Sequence, residues 1–255
     1  MPAALPEARI VPQPATPITS RLGVVIKYVT RADTLMVLGG LALVTTILRF
    51  LSTGPSLAPR SSFTVWVIVA GLEASMYFHI VETTASGQES LETPDFTSLG
   101  ESLFAPLIRY IFTLVPMIAA LVWYGKQAAG TWVYGLMVFV KPTDIFHYMG
   151  PAALLVAGVL LWPLMTMIAA IGRTITATYN PVIWIKTLRT FGGDYLIGVL
   201  LFYGVLVAET LVIPPIAEAL TIPFVGVLIV QFLAYLPMAL RARLLGEICR
   251  PYFEN

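Results

Sequence analysis

The chain has 255 residues, of which 58% are hydrophobic and only 11% charged, and its mean hydropathy is +0.84. Soluble domains carry roughly 25% charged residues, so this composition predicts an integral membrane protein. The 15 Lys and Arg residues nearly balance the 14 Asp and Glu residues. This balance argues against a nucleic-acid partner, because neutralising phosphates takes a concentrated basic surface.

The N-terminal residues 1–17 are proline-rich and hold no long apolar run, which predicts a disordered tail before a single transmembrane domain at 18–253. Residues 18–31 follow with apolar side chains at helical spacing and three interspersed basic residues. This pattern predicts an amphipathic helix on the membrane surface. Its predicted apolar stripe consists of Leu22, Val25, Ile26 and Val29.

Six apolar runs are long enough to cross a bilayer, since a hydrocarbon core of about 30 Å takes about 20 helical residues. We therefore predict an all-α, polytopic integral membrane protein with about six transmembrane helices plus interfacial amphipathic helices. A seventh run, at 131–140, is too short to cross and is predicted to be interfacial or partly re-entrant. The predicted spans are 34–51, 62–82, 106–124, 151–171, 195–213 and 221–240.

Orientation follows from the distribution of Lys and Arg. With the N-terminus inside, the inner side holds ten of these residues and the outer side four. Basic residues are enriched in cytoplasmic loops, so both termini are predicted to be cytoplasmic and the 52–61 loop to lie outside.

An acidic loop connects the second and third spans. Its carboxylates lack the spacing of a calcium-binding loop, which favours a solvated connector. The last part of the loop, 96–106, is predicted to form an interfacial helix that leads into the third span. The acidic residues are Glu82, Glu89, Glu92, Asp95 and Glu101.

A second interfacial helix is predicted after the fourth span. It begins at Asn180-Pro181, because proline is tolerated at the first helical position, and it ends at Gly192-Gly193. Asp194 then opens the fifth span. The segments 104–125 and 180–204 are loosely alike, which suggests a duplicated three-span half of the kind found in transporters.

Four segments carry a resemblance to known proteins: the first span with its Gly39-Gly40 pair, SGQESLETPDF at 86–96, NPVIWIKTLRTFGGDYL at 180–196 and RARLLGEICRPYF at 241–253. Together they resemble a bacterial group of polytopic membrane proteins of unknown function, loosely allied to the Yip family. The resemblance implies a bacterial inner-membrane protein. It supplies no functional residues, and the chain lacks the zinc ribbon that some of these proteins place before the membrane domain.

The candidate functional residues are ionisable groups inside the spans, where a charge costs at least about 2.5–3.5 kcal/mol. They are Glu73 in the second span, Glu209 in the fifth and, as a weaker candidate, His79. Each acid is interpreted either as a structural hydrogen-bonding group or as a site for ion, proton or polar-ligand binding. Because the sequence offers no cation at its depth, Glu73 is expected to be neutral. No catalytic residue, cofactor site or metal site is predicted.

The single cysteine, Cys249, excludes an intramolecular disulfide. It is interpreted as a juxtamembrane thiol, with palmitoylation as an alternative.

Two function classes follow. The first is a non-enzymatic membrane module that acts as a scaffold, assembly factor or trafficking-type protein, with lipid and a membrane protein as its partners. The second is a permease or channel subunit that uses the intramembrane carboxylates. Their relative position discriminates the two: acids that face each other across a water-accessible cavity favour transport, and acids in packed helix interfaces favour the scaffold.

Overall fold

The computed structural model describes residues 17–52, 59–94, 98, 100–131 and 142–250. These residues form helices and no strand, which confirms the predicted all-α class. In chain order the α-helices are α1 (Ile18–Val29), α2 (Ala32–Ser52), α3 (Pro59–Ala85), α4 (Ala105–Ala129), α5 (Met149–Gly172), α6 (Ile175–Thr178), α7 (Pro181–Ala219) and α8 (Val225–Cys249). A π-helical turn, Gly100–Phe104, leads into α4, and a 3-10 turn, Pro142–His147, precedes α5.

Six helices of the described chain are long and apolar enough to cross a membrane, as predicted. They lie within α2, α3, α4 with its preceding π-helical turn, α5, α7 and α8. The last predicted span, 221–240, is displaced from α8, which begins at Val225 and continues to Cys249. The start is later because Phe224 has a positive φ of 61°, which a helix cannot accommodate. The helix continues beyond residue 240, and Arg241 and Arg243 in this continuation are buried against other helices.

The described helices form two compact units. One unit consists of residues up to Pro106 and from Lys186 onward, and in it α8 packs against α1, α2 and α3. The other consists of Leu107–Ile185, with α4, α5 and α6. The first, second, fifth and sixth spans therefore group together, and the suggested division into two consecutive three-span halves has no counterpart in these units.

In the second unit, Tyr179 supplies a hydrogen bond that Pro116 removes from α4. Pro116 has no N–H, so the carbonyl of Phe112 one turn earlier lacks its helical donor. The hydroxyl of Tyr179 donates a hydrogen bond to that carbonyl. Close packing adds to this contact, because a Cβ on Gly158 of α5 would lie only 3.0–3.2 Å from atoms of Met117 and Pro116.

The predicted interfacial helix after the fourth span forms the first part of α7. Asn180 caps it, because its Oδ1 accepts a hydrogen bond from the backbone N–H of Val182 at 3.0 Å. Gly192 interrupts the helix with φ 51° and ψ −128°, a conformation that favours glycine. The predicted break is thus confirmed as a kink inside one long helix.

A helix also forms where the surface helix was predicted, as α1, and part of its predicted apolar stripe is buried inside the protein. Ile18, Val25, Tyr28 and Val29 are buried, whereas Ile26 is exposed. The helix buries this face because it packs against α8. Asp194 holds its first turn, since its Oδ1 accepts a hydrogen bond from the backbone N–H of Ile18 at 3.4 Å.

Two sequence predictions fall largely on residues that are not described. The short run at 131–140 lies outside them except for Thr131, and the proposed tail lies outside them except for Pro17. Of the predicted interfacial helix at 96–106, the described part from Gly100 onward is the π-helical turn and the start of α4.

Candidate functional site

Glu73 lies at the centre of a polar cluster between α2, α3 and α8. Its Oε1 accepts hydrogen bonds from the hydroxyl of Tyr235 at 3.0 Å, from Nε2 of Gln231 at 3.2 Å and from Nη2 of Arg49 at 3.3 Å. The expectation that no cation reaches Glu73 is therefore wrong. α2 and α3 are in contact, and the long side chain of Arg49 reaches Glu73 on the neighbouring helix.

The cluster continues into the interior through two hydroxyl groups. The Tyr235 hydroxyl lies 2.9 Å from Oγ1 of Thr45, and Oγ1 of Thr45 lies 2.8 Å from the carbonyl of Leu41. Tyr235 and Thr45 are buried, whereas the side chains of Glu73 and Arg49 are 32% and 49% exposed. The cluster thus has one end buried in the protein and one end at the protein surface.

The sequence contained a signal for these partners that a search for acids alone misses. Thr45 and Arg49 are four residues apart on α2, and Gln231 and Tyr235 are four residues apart on α8. Residues at this spacing share a helix face, so each pair forms a polar patch within an apolar span. Each patch marks a helix face that needs a polar partner, although the spacing does not say which helix supplies it.

Glu209, the second predicted acid, belongs to a different contact. Its Oε2 lies 2.9 Å from Nη2 of Arg241 on α8, and both side chains are largely buried. The guanidinium of Arg241 also lies 5.7 Å from the ring centre of Phe202. Glu73 and Glu209 are therefore paired with different arginines.

His79, the third candidate, is not part of the Glu73 cluster in the described contacts. It lies six residues further along α3, about 9 Å along the helix axis. Its backbone carbonyl accepts a hydrogen bond from Oγ1 of Thr83 at 2.7 Å. Among the described residues, no group of three His, Cys, Asp or Glu side chains is placed to hold a metal ion.

A second charged cluster, which was not predicted from the sequence, surrounds Glu247 near the end of α8. The side chain of Glu247 is completely buried, and its carboxylate lies 2.9 Å from Arg243, 3.5 Å from Arg21 and 3.7 Å from Arg250. Arg243 and Glu247 are four residues apart, so both project from one face of α8. In the sequence these arginines were interpreted only as cytoplasmic charges.

The guanidinium of Arg243 joins three helices at this cluster. Its Nη1 donates hydrogen bonds to Oγ1 of Thr84 at 3.2 Å and to the carbonyl of Gln88 at 2.8 Å. The guanidinium also lies 4.4 Å from the ring centre of Tyr28 on α1. Burial raises the pKa of Tyr28 to about 12, while the positive charge of Arg243 opposes that shift.

Cys249 lies beside this cluster and is buried. The predicted juxtamembrane thiol is therefore enclosed by protein, because α8 continues to this residue and packs its last turns against neighbouring helices. Palmitoylation would require that end of α8 to open first.

A comparison with protein-family models, curated proteins and solved structures found no match for this chain.

Proposed function

We propose that this protein is a non-enzymatic integral membrane protein that acts as a scaffold or assembly module, of a trafficking type, for partner proteins in the membrane. The observation that carries the proposal is the pairing of both intramembrane acids. Glu73 lies 3.3 Å from Arg49, and Glu209 lies 2.9 Å from Arg241. A carboxylate paired with an arginine of another helix ties the two helices together, because separating the pair would leave a buried charge without a partner.

The outer surface of α7 supports the same proposal. Large apolar side chains along this helix are exposed, Leu200 at 74% and Leu211 at 69%. Membrane lipid and the helices of partner proteins are the occupants that suit such a surface. The resemblance to Yip-allied bacterial proteins agrees with a non-catalytic role.

Reconstitution tests the proposal against transport. Purified protein in liposomes that contain a pH-sensitive dye should give no more proton flux than empty liposomes when a pH gradient is applied. Flux that is present in the natural protein and lost in Glu73→Gln and in Glu209→Gln would contradict the scaffold.

Photo-crosslinking tests the partner side of the proposal. A photoreactive residue at Leu200 or Leu211, introduced in cells, should give discrete protein adducts. The same residue at the buried position of Phe202 on α7 provides the control. Adducts with lipid alone at both exposed positions would contradict a scaffold that acts through α7.

A permease or channel subunit is the second candidate, and one observation favours it. The side chain of Glu73 is partly exposed and is connected to two buried hydroxyl groups, which is an arrangement able to bind a proton. The flux experiment separates the two functions, because only the permease requires that a charge cross the bilayer.

The proposed location is the bacterial inner membrane, with both termini in the cytoplasm, on the basis of the Lys and Arg distribution and the resemblance. Cysteine labelling tests the orientation in a Cys249→Ser background. Ser56→Cys should react with a membrane-impermeant reagent in intact cells, and Gln88→Cys should react only after permeabilisation. The reverse pattern would overturn the orientation.

A further inference from the structure

The Glu73 cluster contains a hydroxyl that cannot satisfy all its contacts at once. The hydroxyl of Tyr235 lies within hydrogen-bond distance of Glu73 and of Thr45, at 3.0 and 2.9 Å. A hydroxyl has one proton, so it donates to only one of these two oxygens at a time. Whether Glu73 carries a proton therefore decides which of the two oxygens accepts the hydrogen bond from Tyr235.

We propose that Glu73 is a reversible proton-binding site whose protonation reverses the hydrogen-bond direction along Glu73, Tyr235 and Thr45 and releases Arg49. With Glu73 ionised, Arg49 and the Tyr235 hydroxyl both donate to the carboxylate. With Glu73 protonated, its new O–H donates to Tyr235, Tyr235 donates to Thr45, and Thr45 donates to the carbonyl of Leu41. The added proton comes from water, and the only covalent change is the new O–H bond.

Both arrangements use the positions that the structure shows. Oγ1 of Thr45 already lies 2.8 Å from the Leu41 carbonyl, so its own proton is directed there and its lone pairs are available to Tyr235. In the protonated arrangement every hydroxyl of the chain both accepts and donates. In the ionised arrangement Tyr235 donates to Glu73 and no longer to Thr45, and the ion pair between Glu73 and Arg49 is present instead.

The exposed end of the cluster lies close to the end of α2, which suits exchange of a proton with the aqueous interface. Arg49 lies three residues before the last residue of α2, and its side chain is about half exposed. Long basic side chains near a span end extend towards the aqueous interface. Once Glu73 is neutral, the side chain of Arg49 can extend towards the aqueous interface. The hydroxyls of Tyr235 and Thr45 remain buried.

The charged and titratable groups around Glu73 are few among the described residues of this unit. α2 contributes Arg49, and α8 contributes Tyr235 beside the uncharged Gln231. The π-helical turn packs on α3 near Gly71, and its Glu101 is exposed. Arg49 is therefore the cation whose release accompanies protonation.

This inference goes beyond the proposed scaffold, because it makes the contact between α2, α3 and α8 dependent on pH whichever partners the protein has. Infrared spectroscopy of the full chain in lipid nanodiscs tests it, since a protonated carboxyl has its own carbonyl band. The band that disappears in Glu73→Gln and persists in Glu209→Gln is assigned to Glu73. In a titration from about pH 4 to about pH 10, the band should be present at low pH and should vanish as the pH is raised.

Two threonines provide a matched pair for the hydroxyl chain. Thr45 and Thr46 are both fully buried on α2, but the Thr46 hydroxyl has no hydrogen-bond partner among the described residues. Thr45→Val removes the acceptor that only the protonated arrangement uses. The pH at which half of the band is lost should therefore fall by about 0.5–1 unit in Thr45→Val, the equivalent of one hydrogen bond, and stay unchanged in Thr46→Val.

Three results would overturn the proposal: a Glu73 band that does not change across the pH range, no Glu73 band at any pH, or equal titration of the two threonine variants. Should Thr45→Val fail to fold, Tyr235→Phe replaces it, since it removes the middle hydroxyl and keeps the ring. Its half-loss pH should then differ from that of the natural protein. An unchanged titration in Tyr235→Phe would also overturn the proposal.

Discussion

Replacing Glu247 with glutamine should make the end of α8 open much more often than it does in the natural protein. Glutamine keeps the shape of the side chain and removes the negative charge that Arg21, Arg243 and Arg250 share. Their distances to the carboxylate are 3.5, 2.9 and 3.7 Å. The arginines would then remain close together without an opposite charge.

The expected cost follows from the burial of each arginine. Removing one partner of a buried ion pair destabilises a protein by about 3–5 kcal/mol, because the other charge stays buried. The Arg243 side chain is 1% exposed and carries this cost in full, whereas Arg250 is 25% exposed and water relieves part of its charge. We therefore expect a loss of about 3 kcal/mol, the lower end of that range.

Cys249 is a built-in reporter of this change. It lies two residues after Glu247 and is buried, so a thiol reagent reaches it only after the end of α8 opens. When closing is faster than labelling, the labelling rate is proportional to the open population. A loss of about 3 kcal/mol then corresponds to labelling that is roughly 100-fold faster.

Two variants control this experiment. Glu218→Gln, at an exposed position of α7, should leave the labelling rate unchanged. Arg243→Met combined with Glu247→Leu should recover part of the loss, because it removes a charge of each sign together. An increase of less than about 5-fold in Glu247→Gln, equivalent to about 1 kcal/mol, would refute the role of Glu247 as the shared counter-charge.

Three further predictions concern stability. Tyr179→Phe should lower the free energy of unfolding by about 1 kcal/mol, and by less in a Pro116→Ala background, because the alanine supplies the missing backbone donor. A double-mutant cycle of thermal unfolding in detergent measures this coupling, and equal losses in the two backgrounds would contradict it. Gly158→Ala should destabilise the protein by about 1–3 kcal/mol through overpacking. Gly204→Ala is the control and should be neutral or stabilising, because a Cβ there meets no atom within 4 Å. Similar shifts of the unfolding temperature in the two variants would count against close packing at Gly158. The folded state holds the Tyr28 proton more tightly than the unfolded chain, because burial raises the pKa of Tyr28 to about 12. The contribution of this proton to folding stability is complete below about pH 10 and is lost as the pH rises towards about 12. Tyr28→Phe should abolish that part of the alkaline destabilisation, and identical pH profiles of stability would exclude it.

The spans could be predicted from the sequence because their signal is local. A run of about 20 apolar residues must satisfy its own backbone hydrogen bonds in lipid, so it forms a helix whatever its neighbours are. The start of α7 at Asn180-Pro181 and its kink at Gly192 are local for the same reason, since a cap and a positive φ depend on one or two residues.

The charged contacts could not be predicted in the same way. Glu73 and Glu209 were singled out from the sequence, but Arg49 and Arg241, which pair with them, lie 24 and 32 residues away in the chain. The continuation of α8 to Cys249 was missed for a related reason. The burial of Arg241 and Arg243 depends on the acids that pair with them, Glu209 and Glu247.

The sequence alone determined that this is a membrane protein, that it is helical and that it has six helices able to span a bilayer, since hydrophobicity acts on each segment by itself. Only the tertiary structure decided which polar groups share a site. It brought Glu73 to Arg49 and Tyr235, and Glu247 to Arg21 and Arg243. Ion pairs and hydrogen bonds act over a few ångströms, so their energies depend on which helices become neighbours, and spacing along the chain does not contain that information.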